Sequence, residues 1–162
     1  MPTALITGAS SGIGLELAKI HAAKGGDLIL VARSGDKLEK LKTELISSHK
    51  IKVHIVVKDL GAPNAAQEVY DEVQKQNLQV DYLINNAGFG DFGLFLNTNW
   101  DKEQQMMQLN MVALSQLTKL FVKDMATRKS GKILNIASTA SFQPGPTMAI
   151  YYATKAFVYY FS

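Results

Sequence analysis

The stretch Ala4-Leu5-Ile6-Thr7-Gly8-Ala9-Ser10-Ser11-Gly12-Ile13-Gly14 carries a short apolar run straight into three glycines set among small polar residues. The run reads as a buried strand that stops at Thr7-Gly8. Ile13, Leu17 and Ile20 then recur at helical spacing, with Ala18, Ala22 and Ala23 permitting close packing, until Gly25-Gly26 ends the helix. A turn between strand and helix in this order is a cradle for a pyrophosphate. Gly8 lets the chain reverse, Gly12 brings N–H groups against the anion, and Gly14 lets helix and sheet approach. The spacing departs from G-x-G-x-x-G, so taken alone the turn also fits a loop that needs glycine only to bend.

Outward from this stretch, short β-rich runs alternate with helical patterns, the signature of an α/β fold with a parallel sheet and crossover helices. Residues 27–32 form a second buried strand. Residues 37–48 place Leu38, Leu41 and Leu45 on one helical face. Residues 52–58 read as the third strand, and Pro63 suits the first turn of a helix reaching about residue 76. Residues 80–85 are the fourth strand and 89–97 a loop rich in glycine and phenylalanine. Asn99 is a candidate N-cap for a long helix to about residue 127. Residues 132–136 are the fifth strand, Pro144 and Pro146 keep the next loop irregular, and a last helix starts near Ile150. The fifth strand falls at a sheet edge, so further chain or a partner is expected to cover it.

The bulk composition narrows the function classes. At 162 residues the expectation is one domain, 1–162. Cysteine is absent, which removes disulfide frameworks and thiolate metal sites and fits a reducing cytoplasm. No basic n-region or cleavage site is visible near Met1, and no window approaches the ~18 apolar residues of a membrane span. The lysines behind the net charge of +3 are mixed with acids, which points to a solvated face, with no nucleic acid and no membrane as partner. The three histidines have no metal spacing.

Two further places carry chemistry. The second strand ends in Val31-Ala32-Arg33-Ser34. A carboxylate there would hold a ribose 2′-hydroxyl; the guanidinium instead suits a 2′-phosphate, so NADP(H) is expected over NAD(H). Arg33 as a merely solvated strand-end residue stays open, as does Asp59 as either an adenine contact or a turn former. Near the far end, Tyr151 and Lys155 lie one helical turn apart and Ser138 precedes them. A phenol, an ammonium favouring its ionised form and a hydroxyl to hold a carbonyl suffice for proton transfer during hydride reduction. Asn110 interrupts an apolar helical pattern; a local bend or a bonded side chain would explain it.

With residues 7–14, Asp59, Asn85-Asn86-Ala87-Gly88, Asn110, Ser138 and Tyr151-x-x-x-Lys155 in that order, the chain resembles the short-chain dehydrogenase/reductase family over essentially its whole length. The resemblance implies a doubly wound, Rossmann-like parallel sheet of order 3-2-1-4-5 and an NADP-dependent oxidoreductase acting on a carbonyl or alcohol. It assigns Tyr151 as acid/base catalyst, Lys155 as its acidifier and a ribose ligand, Ser138 as the carbonyl-orienting hydroxyl and Asn110 as holder of a relay water. Thr7, Gly8, Ser10, Ser11, Gly12, Ile13 and Gly14 would form the cradle, joined by Arg33, Asp59, Leu60, Asn86, Ala87 and Gly88. A homodimer or homotetramer is implied through the long helix and the last one. Members of the family typically run ~80–100 residues further, adding two strands and a substrate lid. The chain is therefore expected to be truncated at its C-terminus, and a fragment that binds NADP without turnover is the alternative. A serine hydrolase on Ser138 lacks the G-x-S-x-G elbow.

Overall fold

In the computed structural model, which describes all of residues 1–162, the five apolar runs form one parallel sheet. Its strands are β1 (Thr3–Thr7), β2 (Asp27–Ala32), β3 (Val53–Val57), β4 (Tyr82–Asn85) and β5 (Lys132–Asn135). They lie in the expected order, β3-β2-β1-β4-β5. Leu5 sits between Ile29 and Leu83, and Ile6 between Leu30 and Ile84. Side chains alternate across a strand, so Leu5, Ile29, Val31 and Leu83 enter one core and Ala4, Ile6, Leu28 and Leu30 the other. Helices α1 (Gly12–Ala23) and α2 (Gly35–His49) cover one face; α3 (Ala65–Lys75) and α5 (Leu114–Arg128) cover the other. Burial on both faces is why the central strands read as unbroken apolar runs.

The winding reverses between β1 and β4. Crossovers from β1 lead outward to β2 and β3, and the next leads back across to β4. The C-terminal ends of β1 and β4 therefore part around a crevice, which is where a ligand fits in such sheets.

Several local expectations change. The inner face of α1 is Gly14, Ala18 and Ala22, whereas Ile13 and Ile20 are 60% and 53% exposed. Small residues at a spacing of four bring this helix close to the sheet, Leu15 and Leu17 pack partly buried beside them, and Ile13 and Ile20 turn outward. Pro63 precedes α3 instead of starting it, because Asn64 adopts a left-handed conformation (φ 60°) between them. Asn99 does cap α4 (Trp100–Met107), accepting the Lys102 N–H at 2.9 Å. The expected long helix is not uniform: a π-helical turn, Gln108–Ala113, separates α4 from α5 and contains Asn110. The last helix is α6 (Ala149–Phe161), and β5 is the edge strand, with Leu134 45% exposed. No helix is long and apolar enough to cross a membrane.

The reversed faces of α1 give opposite expectations for adjacent substitutions. Ala18→Leu should cost about 1–3 kcal/mol by overpacking against the sheet. Ile20→Ala should stay within about 0.5 kcal/mol. Urea midpoints of the two variants measure this, and a larger loss for Ile20→Ala would reverse the assignment of the buried face.

Candidate active site

The site begins where the ends of β1 and β4 are stitched together. Thr7 is buried, and its Oγ1 accepts the main-chain N–H groups of Asn86 (3.0 Å) and Ala87 (2.9 Å). In return Asn86 Nδ2 donates to the Thr7 carbonyl at 2.9 Å. The chain then turns through Gly8 into α1. Gly12 adopts a φ of +56° with open space where a side chain would stand. Gly14 has the opposite constraint: a Cβ there would lie 2.5 Å from the Gly8 carbonyl oxygen. No side chain caps the first turn of α1 and no acid lies in it. Its N–H groups and positive end are left for an anion.

A cleft of about 650 Å³ runs over this turn, from Arg33 at one end to Tyr151 and Lys155 at the other. Of the residues singled out from the sequence, all line it except Thr7, Gly14, Asn110 and Ser138. Thr7 and Gly14 shape the cradle from beneath. Asp59 Oδ1 accepts the Gly61 N–H at 2.9 Å, a turn-forming bond, while its Oδ2 lies 3.9 Å from Arg33 Nη1. Both side chains are more than half exposed, so the guanidinium is held only loosely.

Sequence reasoning missed three residues of this rim: Ser34, Lys37 and Lys58. Lys37 had been grouped with a solvated face, yet it stands in the first turn of α2, whose N-terminus opens on the cleft. The signal available was its place four residues after Arg33. Arg33, Lys37, Lys58 and Lys155 against the single carboxylate of Asp59 make the lining cationic.

At the other end the polar groups are ordered from several elements. Lys155 is 6% exposed, and its Nζ donates to the Ile136 carbonyl at 2.8 Å. Burial pushes its ammonium below the usual lysine range. Ser138 caps a 3₁₀ turn, Thr139–Phe142, accepting the Ala140 N–H at 3.1 Å, which leaves its own proton to donate. Ser141 Oγ donates to the Lys155 carbonyl at 2.8 Å and ties that turn to α6. The Asn110 amide bonds both main-chain groups of Phe89, at 3.2 Å to the N–H and 3.0 Å to the carbonyl, and donates to Thr154 Oγ1 at 3.0 Å. Both alternatives raised for Asn110, a bend and a bonded side chain, hold together. Gly90 lies against the Tyr151 ring, where a Cβ would be 3.0 Å from Cδ2.

Comparison with known proteins agrees with this geometry. The family model described as short chain dehydrogenase matches residues 2–162. A very-long-chain 3-oxoacyl-CoA reductase of Anas platyrhynchos is 33% identical over 98% of this chain and 52% of its own length. One of Pyrenophora tritici-repentis is 37% identical over 96% of this chain and 47% of its own. Among solved structures, a short-chain dehydrogenase from Sphingobium yanoikuyae in complex with NADPH superposes with a TM-score of 0.94 at 36% identity, covering 100% of this chain and 63% of that one. The bulky-bulky ketone specific alcohol dehydrogenase from Comamonas testosteroni gives 0.93 at 36% identity, covering 99% and 64%. The chain spans about half the length of the curated relatives it matches.

Two measurements follow from the packing of the site. Alanine inside a helix ordinarily stabilises relative to glycine by ~0.8–1.0 kcal/mol. Gly14→Ala should do the reverse, losing about 1–3 kcal/mol through the contact with Gly8, as thermal or urea unfolding would reveal. Lys155 gives a pH signature. Its folded-state value lies below the unfolded one, so between the two the unfolded chain binds more protons and stability rises with pH. Wild type should gain on Lys155→Met as pH climbs toward ~10.4 and then level off. A constant difference across that window would contradict a desolvated ammonium.

Proposed function

The chain belongs to the short chain dehydrogenase family, and from that premise we propose that it binds NADPH along the cleft and reduces a ketone or aldehyde, or runs the reverse oxidation. The observation that carries this reading is the meeting of the glycine turn with Tyr151 and Lys155 in one continuous cleft. The residues present fit a phosphate-bearing dinucleotide: an uncapped helix N-terminus for the pyrophosphate and a cationic rim for a further phosphate.

Along the cleft, Ser10, Ser11, Gly12 and Ile13 take the pyrophosphate with their main chain, and Arg33, with Ser34 and Lys37, takes the 2′-phosphate. The free oxygen of Asp59 and the adjacent Leu60 border the adenine. Ala87 and Gly88 form the bed toward the nicotinamide. Lys155 has spent one of three donors on Ile136, so two remain for ribose hydroxyls. The bound dinucleotide supplies the hydride, and what the protein supplies is position and a proton.

Tyr151 gives its phenolic proton to the carbonyl oxygen as hydride reaches the carbon, and Lys155, one turn on, stabilises the phenolate that results. Ser138, whose oxygen already accepts from Ala140, turns its proton to the substrate oxygen as charge develops there. Asn110 has both amide protons engaged, so the water proposed for it would donate to an oxygen of this residue instead of accepting from its side chain. Exposed apolar residues on α5 and α6, such as Val122 and Phe157, support self-association as a homodimer or homotetramer. A second reading is NADP binding without turnover, which the cleft over the glycine turn fits by itself.

Fluorescence titration and turnover separate the readings. Arg33→Ala should weaken NADPH by about 1.5–3 kcal/mol and leave NADH nearly unchanged, on the scale of a charged hydrogen bond. Equal losses for both would show that Arg33 does not read the phosphate. Tyr151→Phe should keep NADPH binding and lower NADPH consumption with a panel of ketones and aldehydes by about 10²-fold or more. Binding by wild type with no consumption would leave the non-catalytic reading standing.

A further inference from the structure

Taking Tyr151 as the proton donor proposed above, we infer that Thr154 is a positioning residue: it fixes which way the Asn110 amide faces and so holds residues 88–90 against the tyrosine. Thr154 is 1% exposed, and its hydroxyl meets two groups. It lies 2.8 Å from the Tyr151 carbonyl and 3.0 Å from Asn110 Nδ2. A hydroxyl owns one proton. The Tyr151 carbonyl has none to offer, so the Thr154 proton must go there. Toward Asn110, Thr154 can then only accept.

That polarity propagates. Asn110 must present nitrogen to Thr154, the same orientation that the Phe89 N–H and carbonyl require of it, so Thr154 and Phe89 hold the amide from two sides. A flipped amide would set oxygen against Thr154 and the Phe89 carbonyl, and N–H against N–H; all three contacts would fail. Asn110 is itself 1% exposed, so no solvent replaces a lost partner.

The clasped segment has little slack. A Cβ on Gly88 would lie 3.0 Å from Asn110 Oδ1 and 3.5 Å from Lys155 Nζ. One on Gly90 would lie 3.0 Å from the Tyr151 ring and 3.2 Å from the Met148 methyl. A side chain at either glycine would press on Asn110, Lys155 or the Tyr151 ring, so the segment that Asn110 clasps runs close beside both Tyr151 and Lys155. Thr154 acts at both ends of this loop of contacts, through Asn110 and through the Tyr151 main chain.

The test compares wild type, Thr154→Val and Thr154→Ser in the full chain by amide hydrogen exchange and steady-state kinetics. In wild type both Asn110 side-chain protons should exchange slowly; exchange at the rate of a free amide overturns the inference without any variant. Thr154→Val should speed exchange at the Phe89 N–H by about tenfold or more, with the Leu5 and Leu30 amides changed less than about twofold. It should also lower kcat by about 10–100-fold with the KM for NADPH within about threefold. Thr154→Ser should restore both. Unchanged exchange at Phe89, unchanged turnover in Thr154→Val, or a serine variant that behaves like valine sinks the inference. If wild type shows no turnover, the catalytic reading of Tyr151 fails separately, and exchange at Phe89 decides the role of Thr154. If Thr154→Val does not fold, exchange of the wild-type Asn110 protons decides it.

Discussion

One hydroxyl holds the seam on which the site is built. Strands β1 and β4 are paired as far as Ile6 and Ile84, after which the reversal of winding draws their continuations apart. Thr7 extends the seam with a side chain: its Oγ1 takes two main-chain N–H groups that no longer face a strand carbonyl. Asn86 answers with its own amide on the Thr7 carbonyl. The glycine turn and the 86–88 segment are thus fixed to each other immediately below the point where they separate. Buried main-chain donors need partners, and a buried threonine supplies them without closing the crevice.

Above that seam the cleft has two electrostatic characters. At the Arg33 end the guanidinium is exposed and only loosely paired, while Lys58 is bonded to Glu68 at 2.7 Å, so the attraction of this end for an anion is partly neutralised and screened by salt. At the Lys155 end the ammonium is buried and hydrogen-bonded to a carbonyl, with its charge held against a desolvation penalty. A charge kept in such surroundings acts strongly on groups within the site and weakly on anything outside it. The two ends of one cleft thus hold their cations under different dielectric conditions.

Strands, their order and most of the cleft residues were legible in the sequence because they depend on local pattern and motif. Runs such as Leu28–Val31 need burial on both faces, and the glycine turn has few other uses. What was not legible depends on partners distant in the chain. Counting apolar spacing credits the bulky Ile13 and Ile20, but close approach to the sheet selects Gly14, Ala18 and Ala22. The break in apolar pattern at Asn110 marked a bend or a bonded side chain, but the π-helical turn itself rests on bonds to Phe89 and Thr154, 21 and 44 residues away, which the helix does not reveal. Lys37 has the same sequence surroundings as Lys40 and Lys42, and only its place in the first turn of α2, beside the cleft, sets it apart. Pro63 gave a sound helix-start signal that the left-handed Asn64 displaced by two residues.

The anchoring of α6 is uneven along its length. Three elements reach its first two turns: the Ile136 carbonyl takes the Lys155 ammonium, Ser141 takes the Lys155 carbonyl, and Asn110 takes Thr154. Farther along, Tyr159, Tyr160 and Phe161 are 47%, 83% and 40% exposed, so the last turn has few buried contacts. A helix is stabilised mainly by what its buried face meets, and in α6 that face is Thr154, Lys155 and Val158, in the middle of the helix. Movement or covering of the aromatic end would act on the site only through the helix axis. The bonds at its start oppose that movement, since they end on three separate elements: the segment after β5, the 3₁₀ turn and the π turn.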